Sequence, residues 1–119
     1  MNCMEKLDVF KRTHLLALDI YKITNGFPKS ECYNLISQMQ RAAVSINSNL
    51  AEGGARNTDG EKKLFVGIAR GSIAELSYQI LLAKDLNYID DKTFNRLEKE
   101  ANEIRMMLTG LLKKIDSNL

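Results

Sequence analysis

The chain has 119 residues, of which 45% are hydrophobic and 27% charged, the balance of one globular domain and not of a disordered chain. Its net charge of +2 lacks the strongly basic surplus of a dedicated nucleic-acid-binding domain, and a single proline argues against an all-β fold, which needs frequent turns. No apolar stretch approaches the ~18 residues of a membrane span, and the first residues lack the apolar core of a signal peptide. We therefore expect a soluble cytoplasmic domain over residues 1–119, with Cys3 and Cys32 as free thiols.

Three clusters of helix-breaking residues divide the chain: Gly26-Phe27-Pro28, Gly53 to Gly60, and Asn87 to Asp91. They predict four helices, at about residues 6–25, 30–54, 59–86 and 91–116. In helix 1 the apolar positions include Leu7, Phe10, Leu15, Leu18 and Ile23. For helix 2, Ser30 is the predicted N-cap and Glu31 lies favourably in the first turn.

Helix 3 has the clearest start signal, because Thr58-Asp59-Gly60-Glu61 fits the capping box, in which the two side chains each satisfy a free backbone amide. Its predicted core face comprises Phe65, Ala69, Ser72, Leu76, Ile80 and Ala83. Helix 4 begins at Asp90 or Asp91, and its predicted core face comprises Phe94, Leu97, Ala101, Ile104, Leu108, Leu111, Leu112 and Ile115. Four amphipathic helices with short connections predict an all-α, up-down-up-down antiparallel four-helix bundle.

Helix 2 differs from ordinary bundle sequence, because its polar residues form one ordered stripe about 80° wide. The stripe comprises Gln38, Arg41, Ser45, Asn49, Glu52 and Arg56. An apolar stripe that ends at Gly53 lies beside it, and small residues such as Ala43 and Ala51 occupy the third side. Two of the three faces are therefore suited to contact with a partner.

Helix 3 carries matching features around one turn. Gly67 and Gly71 are four residues apart, and each costs about 1 kcal/mol relative to alanine in a helix interior. Such a cost indicates that another backbone approaches closely, in particular that of a second subunit. Arg70, Ser72 and Glu75 cluster around the same turn.

Two interpretations of helices 2 and 3 remain open. Either the two helices build a binding or assembly surface, or their charged residues form a buried network that fixes the helix register. In the network, Arg41 and Arg70 would pair with Glu52 and Glu75. Paired charges on adjacent helices usually serve packing and specificity, which favours the network.

The same residues carry a family resemblance. The pattern consists of Phe27-Pro28-x2-Glu31, Gln38-Met39-x-Arg41-Ala42-Ala43-x-Ser45-Ile46-x2-Asn49-Leu50-Ala51-Glu52-Gly53, Phe65-x3-Ala69-Arg70-Gly71-Ser72-x2-Glu75-Leu76 and Leu86-Asn87-Tyr88-Ile89. Over essentially the whole chain it resembles the four-helix-bundle family encoded by 23S rRNA intervening sequences. Two departures are Asn47, where the family has a proline that would kink helix 2, and Asn87, which replaces a glycine.

The resemblance implies a bacterial cytosolic protein and an up-down bundle that assembles into a ring-like homopentamer. A more distant similarity links the chain to the accessory proteins of diversity-generating retroelements, which are bundle pentamers thought to bind nucleic acid and a reverse transcriptase. The expected partners are therefore further copies of the chain and RNA or DNA.

Little in the sequence indicates catalysis. His14 is the only histidine, with no acid or cysteine at metal-ligand spacing, so it is expected at the surface. Glu52 and Glu75 are better explained as ion-pair partners of the nearby arginines than as an acid and base pair. We expect no enzyme activity, cofactor, metal ion or small-molecule substrate.

Three functions remain under consideration. The first is a nucleic-acid-binding oligomer, with Arg56, Lys62, Lys63 and Arg70 as candidate contacts near the turn between helices 2 and 3. An ordinary solvated helix end is the alternative explanation of these residues. The second function is a protein-interaction scaffold with no nucleic-acid role, and the third is an enzyme. Steep loss of affinity with rising salt separates the first from the second.

Overall fold

The computed structural model describes residues 2–118, and all the long elements within them are helices. They are α1 (Asp8–Thr24), α2 (Ser37–Gly54), α3 (Asp59–Asp85) and α4 (Asp91–Asn118). A 3₁₀ turn (Lys29–Glu31) and a π-helical turn (Cys32–Ile36) precede α2. Across residues 2–118 no strand is present, so the predicted all-α class is confirmed.

Cross-helix contacts show that the helices alternate in direction. Gln40, early in α2, donates to Thr24 at the end of α1 (3.1 Å), whereas Asn47, later in α2, donates to the carbonyl of Phe10 near the start of α1 (3.0 Å). The other neighbouring helices are antiparallel in the same way. α2 and α3 meet at Ser45–Ser72 and Gly53–Phe65, and α3 and α4 at Lys63–Asp116 and Lys84–Phe94. α1 and α4 meet at Arg12–Glu100 and Asp19–Arg96. The chain therefore forms a bundle about 45 Å long, in which α1 and α3 lie diagonally opposite.

The buried faces of α3 and α4 are those that the apolar spacing predicts. On α3, only Phe65 of the predicted core positions is half-buried, and the others are buried. On α4, all predicted positions are buried except Leu111, which is half-buried. Burial of each large aliphatic side chain contributes about 1.5–3 kcal/mol, so these two helices supply much of the core energy.

The apolar positions that the sequence gives for α1 do not all face the core. Leu15 and Leu18 are exposed, and the buried positions are Val9, Thr13, Leu16, Ile20 and Thr24. Both threonines can be buried because their hydroxyls donate to carbonyl oxygens of α1 itself, Thr13 to Phe10 and Thr24 to Ile20. α1 has apolar residues on two sides, so spacing alone does not select the side that faces the core.

The entry into α2 also differs from its prediction. Ser30 is not an N-cap, since it lies inside the 3₁₀ turn, and Asn34 in the π-helical turn has non-helical angles (φ −126°, ψ −106°). Glu31 instead accepts a hydrogen bond from the Tyr88 hydroxyl (2.7 Å), which ties this turn to the end of α3. α2 itself continues as a regular helix through Asn47, the position where the family has proline.

Both ends of α3 have defined caps. At its start, Thr58 Oγ1 accepts from the amide of Glu61 (3.2 Å), which confirms one half of the predicted capping box. At its end, Asn87 has a positive φ of 63°. The Tyr88 amide donates to the carbonyl of Ala83 (2.8 Å) and the Asn87 amide to that of Lys84 (2.9 Å), a Schellman-type cap with asparagine in the glycine position.

Candidate functional site

A chain of hydrogen bonds joins the polar stripe of α2 to α3. Ser72 Oγ donates to the carbonyl of Ile68 (3.1 Å), so the 2.9 Å contact between the Ser45 and Ser72 hydroxyls has Ser45 as donor. Asn49 Nδ2 in turn donates to Ser45 Oγ (3.0 Å) and to the Ser45 carbonyl (2.8 Å). These three motif residues are partly or fully buried and bind each other, which fixes the register of α2 against α3.

Gly53 lies where α2 and α3 approach most closely. A Cβ atom at this position would lie 3.2 Å from Cβ of Phe65 and 3.6 Å from the carbonyl oxygen of Lys62. Any larger residue would push the two helices apart. Gly67 and Gly71 are different, because added Cβ atoms there would meet nothing within 4 Å. The backbone approach that these two glycines predict does not occur within the chain.

The charged network suggested by the sequence does not form within one chain. Arg41, Glu52, Arg70 and Glu75 are all exposed, and among residues 2–118 no ion pair joins any two of them. Glu52 pairs with Arg56 one turn away (3.5 Å), and Glu75 accepts from Gln79 one turn away (3.1 Å). Gln38, another polar residue of the stripe, is also exposed, and its amide donates to Asn34 (3.1 Å). The four charged side chains project into solvent because Ser45 and Ser72 occupy the contact between α2 and α3.

The small residues of α2 also lie elsewhere than expected. Ala43 is fully buried and Ala51 is half-buried. This side of α2 carries Gln40 and Asn47, whose amides bind α1 as described above. α1 therefore covers the part of this side around Ala43, whereas Val44 remains exposed.

Three of the four basic residues proposed for nucleic-acid contact are engaged near the α2–α3 turn. Lys62 Nζ donates to the carbonyls of Gly53 (3.3 Å) and Gly54 (3.5 Å) at the end of α2. Lys63 pairs with Asp116 of α4 (2.7 Å), and Arg56 lies over the Phe65 ring, 4.7 Å from its centre. Lys62 thus caps a helix, as cations near a helix C-terminus do.

Arg70 faces a different feature, a groove between α3 and α4. Two adjoining cavities of about 350 and 360 Å³ mark it. We call it the α3–α4 groove, and its lining comprises Lys63, Gly67, Arg70, Gly71, Ala74, Arg105, Thr109, Leu112, Lys113 and Asp116. Arg105, Thr109 and Lys113 were not predicted. Their spacing of four residues places them on one face of α4, but nothing in the sequence says that this face borders Arg70.

Two apolar stripes lie uncovered on diagonal helices. On α3 the exposed side chains are Leu64, Ile68, Tyr78 and Leu81, beside the open backbone of Gly67 and Gly71. On α1 they are Leu15, Leu18 and Tyr21. Leu64, Tyr78 and Leu15 are each at least 60% exposed. Large apolar side chains are therefore left in water on two diagonal helices, and on α3 the exposed Glu75 separates Leu64 and Ile68 from Tyr78 and Leu81.

The described part of the chain holds no arrangement that indicates metal or acid–base chemistry. Within residues 2–118, no three side chains of His, Cys, Asp or Glu gather at one point, and His14 is exposed as predicted. Cys3 and Cys32 are free and exposed, as predicted. Cys32 borders a cavity of about 580 Å³ with Lys22 and Lys29, and no histidine or carboxylate lines this cavity to act as a base. Within the same residues, none of the helices is long and apolar enough to cross a membrane.

The fold defines the class of the protein, a small antiparallel four-helix bundle. The chain belongs to the family of 23S rRNA-intervening sequence proteins, whose sequence model matches residues 5–110.

Solved structures show the same fold. A protein of unknown function from the S23 ribosomal protein family of Bacteroides thetaiotaomicron, with a crystal structure at 1.70 Å, superposes with a TM-score of 0.82. The two chains are 19% identical over 88% of this chain and 95% of the other. None of the curated proteins matches the chain.

Proposed function

We propose that this bacterial, cytoplasmic protein is a non-enzymatic bundle that assembles with copies of itself, in a ring-like homopentamer, and binds RNA or DNA. The observation that carries the proposal is the pair of uncovered apolar stripes on α1 and α3. Covering them with a second copy removes apolar surface from water, at about 25 cal/mol per Å². The pentameric number comes from the family resemblance.

The diagonal positions of the stripes favour a head-to-tail contact. An isologous dimer uses the same patch on both subunits, whereas two different patches on opposite sides join successive copies heterologously. Such a contact closes into a ring when the rotation per copy permits it. The α3 stripe of one copy would then pack on the α1 stripe of the next.

Assembly also supports nucleic-acid binding. A net charge of +2 per chain is weak for a polyanion partner, but five copies carry about +10 on one particle. The local contacts of Glu52 with Arg56 and of Glu75 with Gln79 support a non-enzymatic role for these two carboxylates.

Light scattering behind size exclusion tests the assembly. The expected mass is close to 68 kDa, five times the chain mass of 13.5 kDa. Ile68→Glu on α3 and Leu15→Glu on α1 should each give monomers, because a carboxylate would be buried in the contact. Ser48→Glu, at an exposed polar position of α2, is the control and should leave the mass unchanged.

Mixing the two monomeric variants tests the head-to-tail arrangement. Each variant retains one intact stripe, so an equimolar mixture should form a heterodimer with a single intact contact. A parent protein that is monomeric at micromolar concentration contradicts the proposal, and a mixture that stays monomeric contradicts the arrangement.

A protein-interaction scaffold without a nucleic-acid role is the second candidate, favoured by the same apolar side chains. Binding of labelled RNA and DNA separates the two candidates. Affinity should fall steeply between about 50 and 200 mM salt if several phosphates are neutralised. An assembled protein that binds neither polymer at about 50 mM salt would support the scaffold.

A further inference from the structure

We propose that the α3–α4 groove holds the sugar–phosphate backbone of a nucleic acid strand and does not read its bases. This inference rests on the proposed nucleic-acid role and assigns it to a groove that includes Lys63 and Arg70, two of the four basic residues that the sequence proposes, together with Arg105 and Lys113 of α4. The ligand chemistry is the phosphodiester, which RNA and DNA share.

Two of the three arginines that form no ion pair in the described residues line this groove, and the third, Arg41, lies on α2. Of the six arginines in the chain, Arg12, Arg56 and Arg96 form ion pairs within residues 2–118. Arg70 and Arg105 are exposed, form no ion pair within those residues, and line the same groove from opposite walls. Guanidinium groups recognise phosphate through paired N–H donors, so two of them across one groove suit a phosphodiester.

The cations also extend along the groove. Arg105 and Lys113 are eight residues apart on α4, which corresponds to about 12 Å along the helix axis. Lys63 and Arg70 are seven residues apart on α3, about 10 Å along the axis. The single carboxylate of the lining, Asp116, pairs with Lys63 at 2.7 Å, which leaves Arg70, Arg105 and Lys113 as the lining cations without an ion pair in the described residues. A linear polyanion therefore meets several cations in succession, whereas one free phosphate would meet two at most.

Gly67 and Gly71 give the groove an open wall. A side chain at either position would meet nothing in this chain, so intrachain packing does not explain why two helix-weakening glycines lie here. Their absent side chains let a ligand approach the α3 backbone closely. Thr109 on the other wall supplies a hydroxyl of the kind that commonly donates to phosphate oxygens.

The lining also indicates what the groove does not recognise. It contains no aromatic ring on which a base would stack and no asparagine or glutamine to bind a base edge. Binding should therefore be independent of sequence and dominated by counterion release.

Fluorescence anisotropy with a labelled oligouridine of about 30 nucleotides, longer than single-domain site sizes, tests the assignment. A thymidine strand of equal length is the DNA arm, and a mixed-sequence strand tests base reading. The variants are Arg70→Gln with Arg105→Gln, and Lys113→Gln alone. The control is Lys99→Gln, an exposed lysine of α4 that does not line the groove.

The double arginine variant should bind at least ten-fold more weakly at about 100 mM salt. Its slope of log affinity against log salt should fall by about 1.4, which corresponds to two phosphate contacts on a single strand. Lys113→Gln should reduce the slope by about half as much, and Lys99→Gln should stay within two-fold of the parent. Thr109→Lys, which adds a cation to the groove, should tighten binding. The three polymers should bind with similar affinity.

Several outcomes would overturn the inference. If the double variant binds as well as the parent, with the same slope of log affinity against log salt, nucleic acid binds elsewhere and the proposed function stays intact. A changed mass for the double variant in light scattering shows that the arginines belong to a subunit contact. A strong preference for one sequence contradicts backbone recognition. A parent that binds none of the polymers removes both the nucleic-acid function and this site.

Discussion

Glycine has two different roles at the residue level in this bundle. Gly53 is buried at the closest approach of α2 and α3, with Phe65 Cβ 3.2 Å from where its own Cβ would lie. Gly110 is exposed on α4, and a Cβ there would meet nothing within 4 Å. The first glycine is therefore required by packing, and the second only weakens its helix.

Alanine substitutions at the two glycines should have different effects on the free energy of unfolding. Gly110→Ala should stabilise by about 0.5–1 kcal/mol, because alanine loses less backbone entropy in a helix. Gly53→Ala should give no gain or a loss of up to about 2 kcal/mol, because Phe65 Cβ is fixed to the α3 backbone and the helices must separate. Urea unfolding at equal protein concentration measures both. Equal stabilisation by the two substitutions would contradict the close helix approach.

The residues of the candidate site were only partly predictable. The sequence correctly singles out Ser45, Asn49 and Ser72 as unusual, because polar residues follow one stripe of α2 and cluster on one turn of α3. It does not reveal that Ser45 lies opposite Ser72, since that depends on the register of the helices. Arg105 was missed because it becomes a neighbour of Arg70 only after the fold brings α4 beside α3.

At the level of elements, α1 is held to α4 mainly by charge. Arg12 donates Nε to Glu100 Oε1 (3.0 Å) and Nη2 to Glu100 Oε2 (2.7 Å), and Nη2 also contacts Glu103 Oε2 (2.5 Å). Arg96 pairs with Asp19 further along the two helices. The side chains of these ion pairs are a third or more exposed, except that of Asp19. Salt and pH should therefore change the strength of this α1–α4 contact more than that of the apolar core.

Arg12→Gln should lower the free energy of unfolding by about 1 kcal/mol. This loss is near the upper end of the range for partly exposed ion pairs, because Arg12 binds two carboxylates. The loss should shrink as salt rises. Arg96→Gln removes a single, more exposed pair and should have a smaller effect. Thermal melts at low and high salt measure the difference. A larger effect for Arg96→Gln would contradict the central position of Arg12.

The same contact predicts a pH dependence. The hydrogen bond from Arg12 holds the pKa of Glu103 below its ordinary range, so the folded state binds its proton less readily than the unfolded state does. This stabilisation is fully present above the ordinary glutamate pKa, and it is lost as pH falls through the lowered pKa of the folded state. Arg12→Gln should therefore melt with a flatter pH dependence on the acid side of the ordinary glutamate pKa.

The helical elements differ in how far the sequence specifies them. In α3 and α4, apolar residues at spacings of three and four lie on one face, and the core is found there. In α1, Leu15 and Leu18 continue the apolar pattern onto the outer surface, so the pattern does not identify one buried side. The irregular turn around Asn34 has no sequence signal, because its geometry follows from the way α2 must leave the 3₁₀ turn to pack on α1.

At the level of the whole molecule, assembly and nucleic-acid binding should be linked. A monomer presents one groove, whereas a ring presents several to the same strand and gains from their effective concentration. Leu15→Glu lies on α1, diagonally opposite the α3 wall of the groove, so its effect on binding should come through dissociation. We expect its affinity for oligouridine to fall at least ten-fold at equal chain concentration, with Ser48→Glu close to the parent. A monomeric Leu15→Glu that binds like the parent would contradict the linkage.

Both ends of the described chain lie at the same end of the bundle. Asn2 donates to the carbonyl of Ala51 near the end of α2, and Asp116 near the end of α4 pairs with Lys63 in the first turns of α3. The opposite end carries the π-helical turn and Tyr33, which is 97% exposed. Cyclic symmetry orients every copy alike, so a ring has two chemically distinct poles. In the proposed ring, with the bundles aligned along its axis, fluorophores or fused domains attached at residues 2 and 118 would crowd together at one pole, and the other would stay accessible.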